Sequence, residues 1–223
     1  MVQPSYQTST EITRSSRSTG LGWKPYAEFI AEAEGKGLTI FDIDDTLFHT
    51  NAKVKVMKDD KLVHELTSVE YNTYKLKSGE SFDYANFKNA EIFAKTATPI
   101  GRMIDKMKAV LKNATRAGSK VIVVTARANF DKKEVFLQTF RNQGIDIDKT
   151  YVERAGNLNL GSAAKNKRFI FHKYLKSGEY KRMRLYDDSK DNLRSFLALQ
   201  KQYPAVSFEA WLVKSNGRIN RFR

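Results

Sequence analysis

Three short apolar runs, each ending on a hydroxyl or carboxylate residue, constrain this chain more than any other feature. Residues 38–41 (LTIF) run into Asp42-Ile43-Asp44-Asp45-Thr46, residues 120–125 (KVIVVT) end on Thr125, and residues 183–186 (MRLY) end at Asp187-Asp188. Short continuous apolar runs are the pattern of strands covered on both faces of a parallel sheet. Between them, residues 100–117, 132–142, 163–177 and 191–202 carry apolar residues at helical spacing, with Phe169, Ile170, Tyr174 and Phe171 expected to turn inward from the third. Further strands are expected near 149–153 and over 205–213. Strands alternating with helices define an α/β class, a Rossmann-like, doubly wound and mostly parallel sheet. Such sheets gather chemistry at the C-terminal ends of their strands, so the three polar termini are expected to converge.

At 223 residues, the chain suits one domain or a core with a small insertion. It has no Cys, which excludes thiolate catalysis and Cys-held metals, and its three His (His49, His64, His172) form no ligand pair and receive no role. A metal would therefore be held by oxygen, as Mg²⁺ is beside phosphate. Residues 1–22 are polar and Ser/Thr-rich, the composition of a flexible arm, and residues 23–34 suit a short helix stopped by Gly35 and Gly37. No apolar run approaches the roughly 20 residues of a membrane span, so the expectation is a cytoplasmic protein with no membrane contact and no evident protein partner. The net charge is +14; residues 165–184 hold eight Lys/Arg against Glu179 alone, and residues 214–223 read as a basic tail with Lys214, Arg218, Arg221 and Arg223. That balance suits a nucleotide or nucleic-acid partner as well as a solvated surface.

The acids carry the chemistry. A carboxylate can attack phosphorus once a cation neutralises the phosphoryl oxygens, and a second carboxylic acid can protonate the departing alkoxide. Thr125 and a lysine at 165 or 167 can hold the phosphoryl oxygens. The strand followed by D-x-D-x-T, the strand ending in Thr, the helix-borne Lys and the strand ending in D-D, in that order, resemble the haloacid dehalogenase (HAD) superfamily of phosphohydrolases over residues 37–213. The resemblance implies Asp42 as nucleophile, Asp44 as general acid/base and metal ligand through its main-chain carbonyl, and Thr125 as the phosphate-binding hydroxyl. It implies Asp188 as a Mg²⁺ ligand alongside Asp42, with Asp187 supporting the metal or pairing with the lysine. Lys165 and Lys167 point about 200° apart on a helix. Lys165, nearer the cap at Ser162, is favoured, with Lys167 as the alternative. Arg127 resembles a position that grips substrate phosphate, and Asn192 reads as a companion to Asp188.

Asp42 and Thr125 are 83 residues apart, whereas Thr125 and Lys165 are 40 apart, so an insertion follows the first motif. The core then comprises residues 23–49 and 99–213, and residues 50–98 form a small β-rich cap in which Asp59-Asp60 makes a turn and Tyr71, Tyr74, Phe82, Tyr84 and Phe87 are core. The resulting expectation is a Mg²⁺-dependent phosphomonoesterase acting on a nucleotide or a phosphorylated nucleic-acid end. The rivals are a phosphatase of small sugar or cofactor phosphates and a catalytically silent nucleic-acid-binding protein.

Overall fold

Along the chain, β1 (Lys36–Phe41) and β2 (Phe48–His49) lead to β3 (Val54–Lys58), β4 (Lys61–Leu66), α1 (Ser68–Thr73), β5 (Glu80–Asp83), α2 (Ala85–Lys88), α3 (Ala90–Thr96) and β6 (Thr98–Pro99). There follow α4 (Gly101–Arg116), β7 (Lys120–Thr125), α5 (Lys133–Arg141), β8 (Tyr151–Arg154), α6 (Ala163–Leu175), β9 (Tyr180–Asp187), α7 (Lys190–Leu197), β10 (Ser207–Val213) and β11 (Ile219–Phe222). The computed structural model describes residues 35–223 apart from 117 and 159, so the arm and the helix expected over 23–34 lie outside the described residues.

The apolar runs become the centre of a six-stranded sheet of order β11-β10-β9-β1-β7-β8, parallel except for the β10–β11 pair. Side chains of successive strand residues alternate between faces. In β1, Phe41 joins one core with Met103, Met107, Phe136 and Phe140 of α4 and α5, while Leu38 and Ile40 join a second with Ile170 and Phe171 of α6 and Leu193 and Phe196 of α7. Helices on both faces explain why these strands carry continuous apolar runs. Phe41 pairs with both Val123 and Tyr186, so β1, β7 and β9 end nearly level. The chain builds outward from β1 to β8 and then restarts on the other side at β9, which makes the β1/β9 boundary the switch point where doubly wound sheets bind ligands.

β3, β4 and β5 form a separate antiparallel sheet of order β4-β3-β5, with α1 between β4 and β5, whereas Ala90 and Phe93 of α3 are buried in the first core with Met103, Phe136 and Phe140, so the cap expected over 50–98 does not stand apart as one unit. Asp59 and Asp60 have φ of 48° and 59°, and the two-residue loop they make joins the paired Lys58 and Lys61. Both residues at positive φ give the hairpin turn whose twist matches the strands it connects. Val54, Val56 and Leu66 pack against Tyr71, Tyr74, Phe82 and Phe87.

Three expectations are corrected. Tyr84, expected in the core of the 50–98 segment, is exposed and does not pack on Val54, Val56 and Leu66. Residues 214–223 are no tail: Ile219 and Phe222 belong to β11, which pairs antiparallel with β10 after a turn in which Gly217 has φ of 73°. Phe169 does not face inward but is 55% exposed, because α6 buries Lys167, Ile170, Phe171 and Leu175, a stripe that leaves Phe169 outside. Among the described residues no helix is long and apolar enough to cross a membrane.

Candidate active site

Asp42 follows β1, held by its amide donating to the Tyr186 carbonyl (3.0 Å), while the Phe41 and Tyr186 rings stack behind it. The chain then turns tightly through Asp45, whose φ of 54° is the strained point of the loop, and Leu47 and Phe48 both donate back to the Ile43 carbonyl. This turn sends Asp42 and Asp44 to different partners.

Asp42 belongs to an acid–base cluster. The Lys167 ammonium, 1% exposed, donates to Asp42 Oδ1 and Asp187 Oδ2, both at 2.8 Å. Asp187 Oδ1 also accepts from the Ser189 amide and the Asn192 side chain, and Asn192 reaches Oδ2 as well. Oxygens of Asp42, Asp187 and Asp188 lie within 4.8 Å of one another. Burial raises the Asp42 carboxyl to about 7, against the pull of Lys167, with Asp187 and Asp44 adding to the rise. Burial likewise lifts Asp188 to about 9, reinforced by Asp187 and Asp42. For Lys167, burial works against the ammonium, yet Asp187 and Asp42 hold it above the usual lysine range.

Asp44 is held elsewhere. Arg127, 1% exposed, donates from Nε to both Asp44 oxygens (3.1 and 3.0 Å) and from Nη2 to Oδ1 (2.7 Å), and the Thr50 hydroxyl donates to Oδ1 (2.7 Å). Burial would push the Asp44 carboxyl up, but Arg127's charge and hydrogen bonds outweigh it and hold the group below its ordinary value. Arg127 Nη1 donates to the Phe87 carbonyl (3.0 Å) in α2, and the guanidinium lies over the Phe87, Phe93 and Phe130 rings. Arg127 is thus a buried strut between Asp44 and α2. Asp131 braces the same seam by accepting from the Ala90 amide (2.8 Å).

Thr125, fully buried, ends β7 and accepts from the Arg127 amide (3.1 Å). The loop after β7 packs backbone to backbone on the one after β8. The Gly156 amide donates to the Arg127 carbonyl, and a Cβ at Gly156 would collide with the backbone of residues 126–128.

Asp42, Asp187, Asp188 and a lysine are therefore brought together, and three assignments change. The lysine is Lys167; Lys165 is exposed, two residues away on a helix, so it faces off the buried stripe. Asn192 serves Asp187, not Asp188. Arg127 is committed to Asp44 and the Phe87 carbonyl instead of standing free for an incoming phosphate. Sequence reading missed Thr50 and the Phe87 carbonyl, and neither residue type announces such a role.

The oxygen-only donor set fits a hard divalent cation. Lys167, Ser189 and Asn192 occupy Asp187, and Lys167 takes only Oδ1 of Asp42, so Asp42 Oδ2 and Asp188 are the carboxylate oxygens suited to a cation.

The raised carboxyls set a pH dependence. A carboxyl whose folded pKa exceeds its unfolded value favours folding fully below the unfolded pKa, and the benefit is lost as pH rises through the folded one. For Asp42 and Asp188 that loss spans about pH 4 to about 7 and 9. Asp44 acts oppositely, but below its ordinary value, and Lys167 acts above the lysine range, so neither governs the interval from 5 to 9. In chelator-treated protein, the Asp188→Asn melting temperature should rise relative to wild type as pH goes from 5 to 9. A constant gap between the two would contradict the repulsion described here.

The mainly parallel sheet with its switch point is a HAD-like α/β fold. The fold matches the HAD domain of effector protein Lem4 from Legionella pneumophila with a TM-score of 0.51 at 12% identity, over 82% of this chain and 88% of that one. The chain belongs to the family described as Protein of unknown function (DUF2608), whose model matches residues 22–178. No curated protein matches it.

Proposed function

We propose that the protein is a Mg²⁺-dependent phosphomonoester hydrolase working through an aspartyl-phosphate on Asp42, with a nucleotide or a phosphorylated nucleic-acid end as substrate. The observation that carries this reading is Lys167 bridging Asp42 and Asp187, with Asp188 beside them, at the switch point of the sheet. Buried on that ammonium, Asp42 is aimed and partly neutralised, as a carboxylate nucleophile facing a phosphate dianion must be.

An Asp42 carboxylate oxygen forms the new bond to phosphorus as the ester P–O bond breaks; Asp44, ionised beside Arg127 in the resting site, relays to the leaving alkoxide the proton that enters on the substrate phosphate monoanion. Water then hydrolyses the aspartyl-phosphate, with Asp44 accepting its proton and free phosphate departing. Lys167 and the Thr125 hydroxyl hold the phosphoryl oxygens. Asp42, Asp188 and the Asp44 main-chain carbonyl would hold Mg²⁺, which would supply charge neutralisation at those oxygens. Residues 50–98 serve as a cap, seated against the site through Arg127 and Asp131.

The test is phosphate release from p-nitrophenyl phosphate, nucleoside 5′- and 3′-monophosphates, phosphorylated oligonucleotides and sugar phosphates, with Mg²⁺ or with chelator. Mg²⁺-dependent release strongest on nucleotide or oligonucleotide ends is expected. Preference for sugar phosphates would move the assignment to a metabolite phosphatase, and release from none would leave a silent nucleic-acid binder.

A further inference from the structure

A second polar feature stands at the same edge of the sheet. β10 runs parallel to β9 with Leu212 opposite Asp187, so the turn at 214–218 leaves the sheet where the acids cluster. Between this turn and the start of α4 lies a cavity of about 360 Å³ with Arg102, Lys106 and Arg218 in its lining. Such a volume falls within the roughly 300–1,000 Å³ of ligand sites. Two strand spacings and a few residues of rise place it on the order of 10–15 Å from Asp42. His49 joins the two places: its ring lies 3.1 Å from Asp45 Oδ1 through Nδ1 and 2.8 Å from the Ser215 carbonyl through Nε2.

The charges around this cavity are uncompensated. Arg102, Lys106 and Arg218 have no carboxylate at ion-pair distance among the described residues, and the nearest acid along α4, Asp105, is taken by Lys108. Arg102 and Lys106 also stand four apart on one helix face, where like charges destabilise the helix. The backbone of the turn is nevertheless fixed against α4. Lys214 and Arg218 share a backbone hydrogen bond, and Gly217 approaches Ile100 so closely that a Cβ would lie 2.8 Å from its Cγ2. A cluster of cations without anions is suited to an anionic ligand.

We propose that this cavity binds a backbone phosphate of the substrate, so that the protein acts on the phosphorylated end of an oligonucleotide in preference to a free mononucleotide. Successive phosphates of a single strand stand roughly 6–7 Å apart, so the separation from Asp42 spans about two nucleotides. The proposal rests on the phosphatase reading and names the substrate class of that site.

The experiment uses the full chain and single-stranded, end-phosphorylated hexanucleotides carrying a fluorophore at the other end. Anisotropy is measured on the Asp42→Asn protein with and without Arg102→Glu and Arg218→Glu, and p-nitrophenyl phosphate turnover on the same charge reversals in the otherwise wild-type chain. The reversals should weaken hexanucleotide binding about 10-fold or more and lower the salt slope by about 0.7 per lost phosphate contact. Turnover of p-nitrophenyl phosphate, too small to reach the cavity, should be unchanged. If a double reversal fails to fold, Arg218→Gln alone, on the exposed turn, should still weaken binding. Unchanged hexanucleotide affinity, or an equal fall in p-nitrophenyl phosphate turnover, overturns the proposal. Binding that responds to the reversals while wild type releases phosphate from nothing leaves the cavity as a nucleic-acid site and overturns the phosphatase reading instead.

Discussion

Asp42→Asn should abolish phosphate release while leaving the chelator-treated protein at least as stable as wild type. Loss of a catalytic nucleophile costs on the order of 10⁴-fold or more. Stability moves the other way. Asp42 is buried beside Asp187 and Asp44, which repel its charge, and its own charge in turn pushes Asp188 up. Lys167 is one cation facing two acids, so replacing Asp42 by the isosteric amide leaves Lys167 matched to Asp187, with a carbonyl oxygen still placed to accept its hydrogen bond. Breaking a buried pair usually costs several kcal/mol because an unpaired charge remains, but here none remains. Sites arranged for chemistry commonly gain stability when their charges are removed. Phosphate assays and thermal melts on the same preparation check both halves. Retained turnover would remove Asp42 as nucleophile, and a lower melting temperature would mean that the Lys167–Asp42 attraction outweighs the carboxylate repulsion.

The convergence of Asp42, Thr125 and Asp187 was legible in the sequence because strands covered on both faces must be apolar throughout, which leaves polar residues to mark their ends. The lysine was legible in principle. Lys167, Ile170, Phe171 and Leu175 fall at i, i+3, i+4 and i+8, a single buried stripe, while Lys165 and Phe169 share the exposed face. Reading Phe169 as core hid this, since a Phe is expected inside and a Lys outside, and the site inverted both. The last residues were read through their charge, although Ile219 and Phe222 after a Ser-Asn-Gly turn also suit an edge strand. The Arg127–Asp44 pair was not legible. Its partners lie 83 residues apart, and their meeting depends on the turn at Asp45 and on the seating of α2, neither of which follows from periodicity.

That pair carries the second large effect. Arg127→Ala would leave the Asp44 carboxylate buried without its cation and should cost about 3–5 kcal/mol of stability. Arg127→Lys keeps the charge but loses the two-nitrogen grip on Asp44 and the reach to the Phe87 carbonyl, so it isolates orientation. If Arg127 positions the acid that protonates the leaving group, the loss must depend on the leaving group. An alkoxide needs that proton, and general acid catalysis contributes about 10²–10⁴-fold. The p-nitrophenolate ion departs without it. The quantity to compare is kcat/KM, which reports the steps up to phosphorylation of Asp42 and omits the later hydrolysis common to both esters. For Arg127→Lys it should fall about 10²-fold or more on an alkyl phosphate and less than about 10-fold on p-nitrophenyl phosphate. An equal fall on both, carried by KM, would restore Arg127 to gripping the substrate phosphate. That would require the guanidinium to leave Asp44 and the Phe87 carbonyl when substrate arrives, and the insertion to move with it.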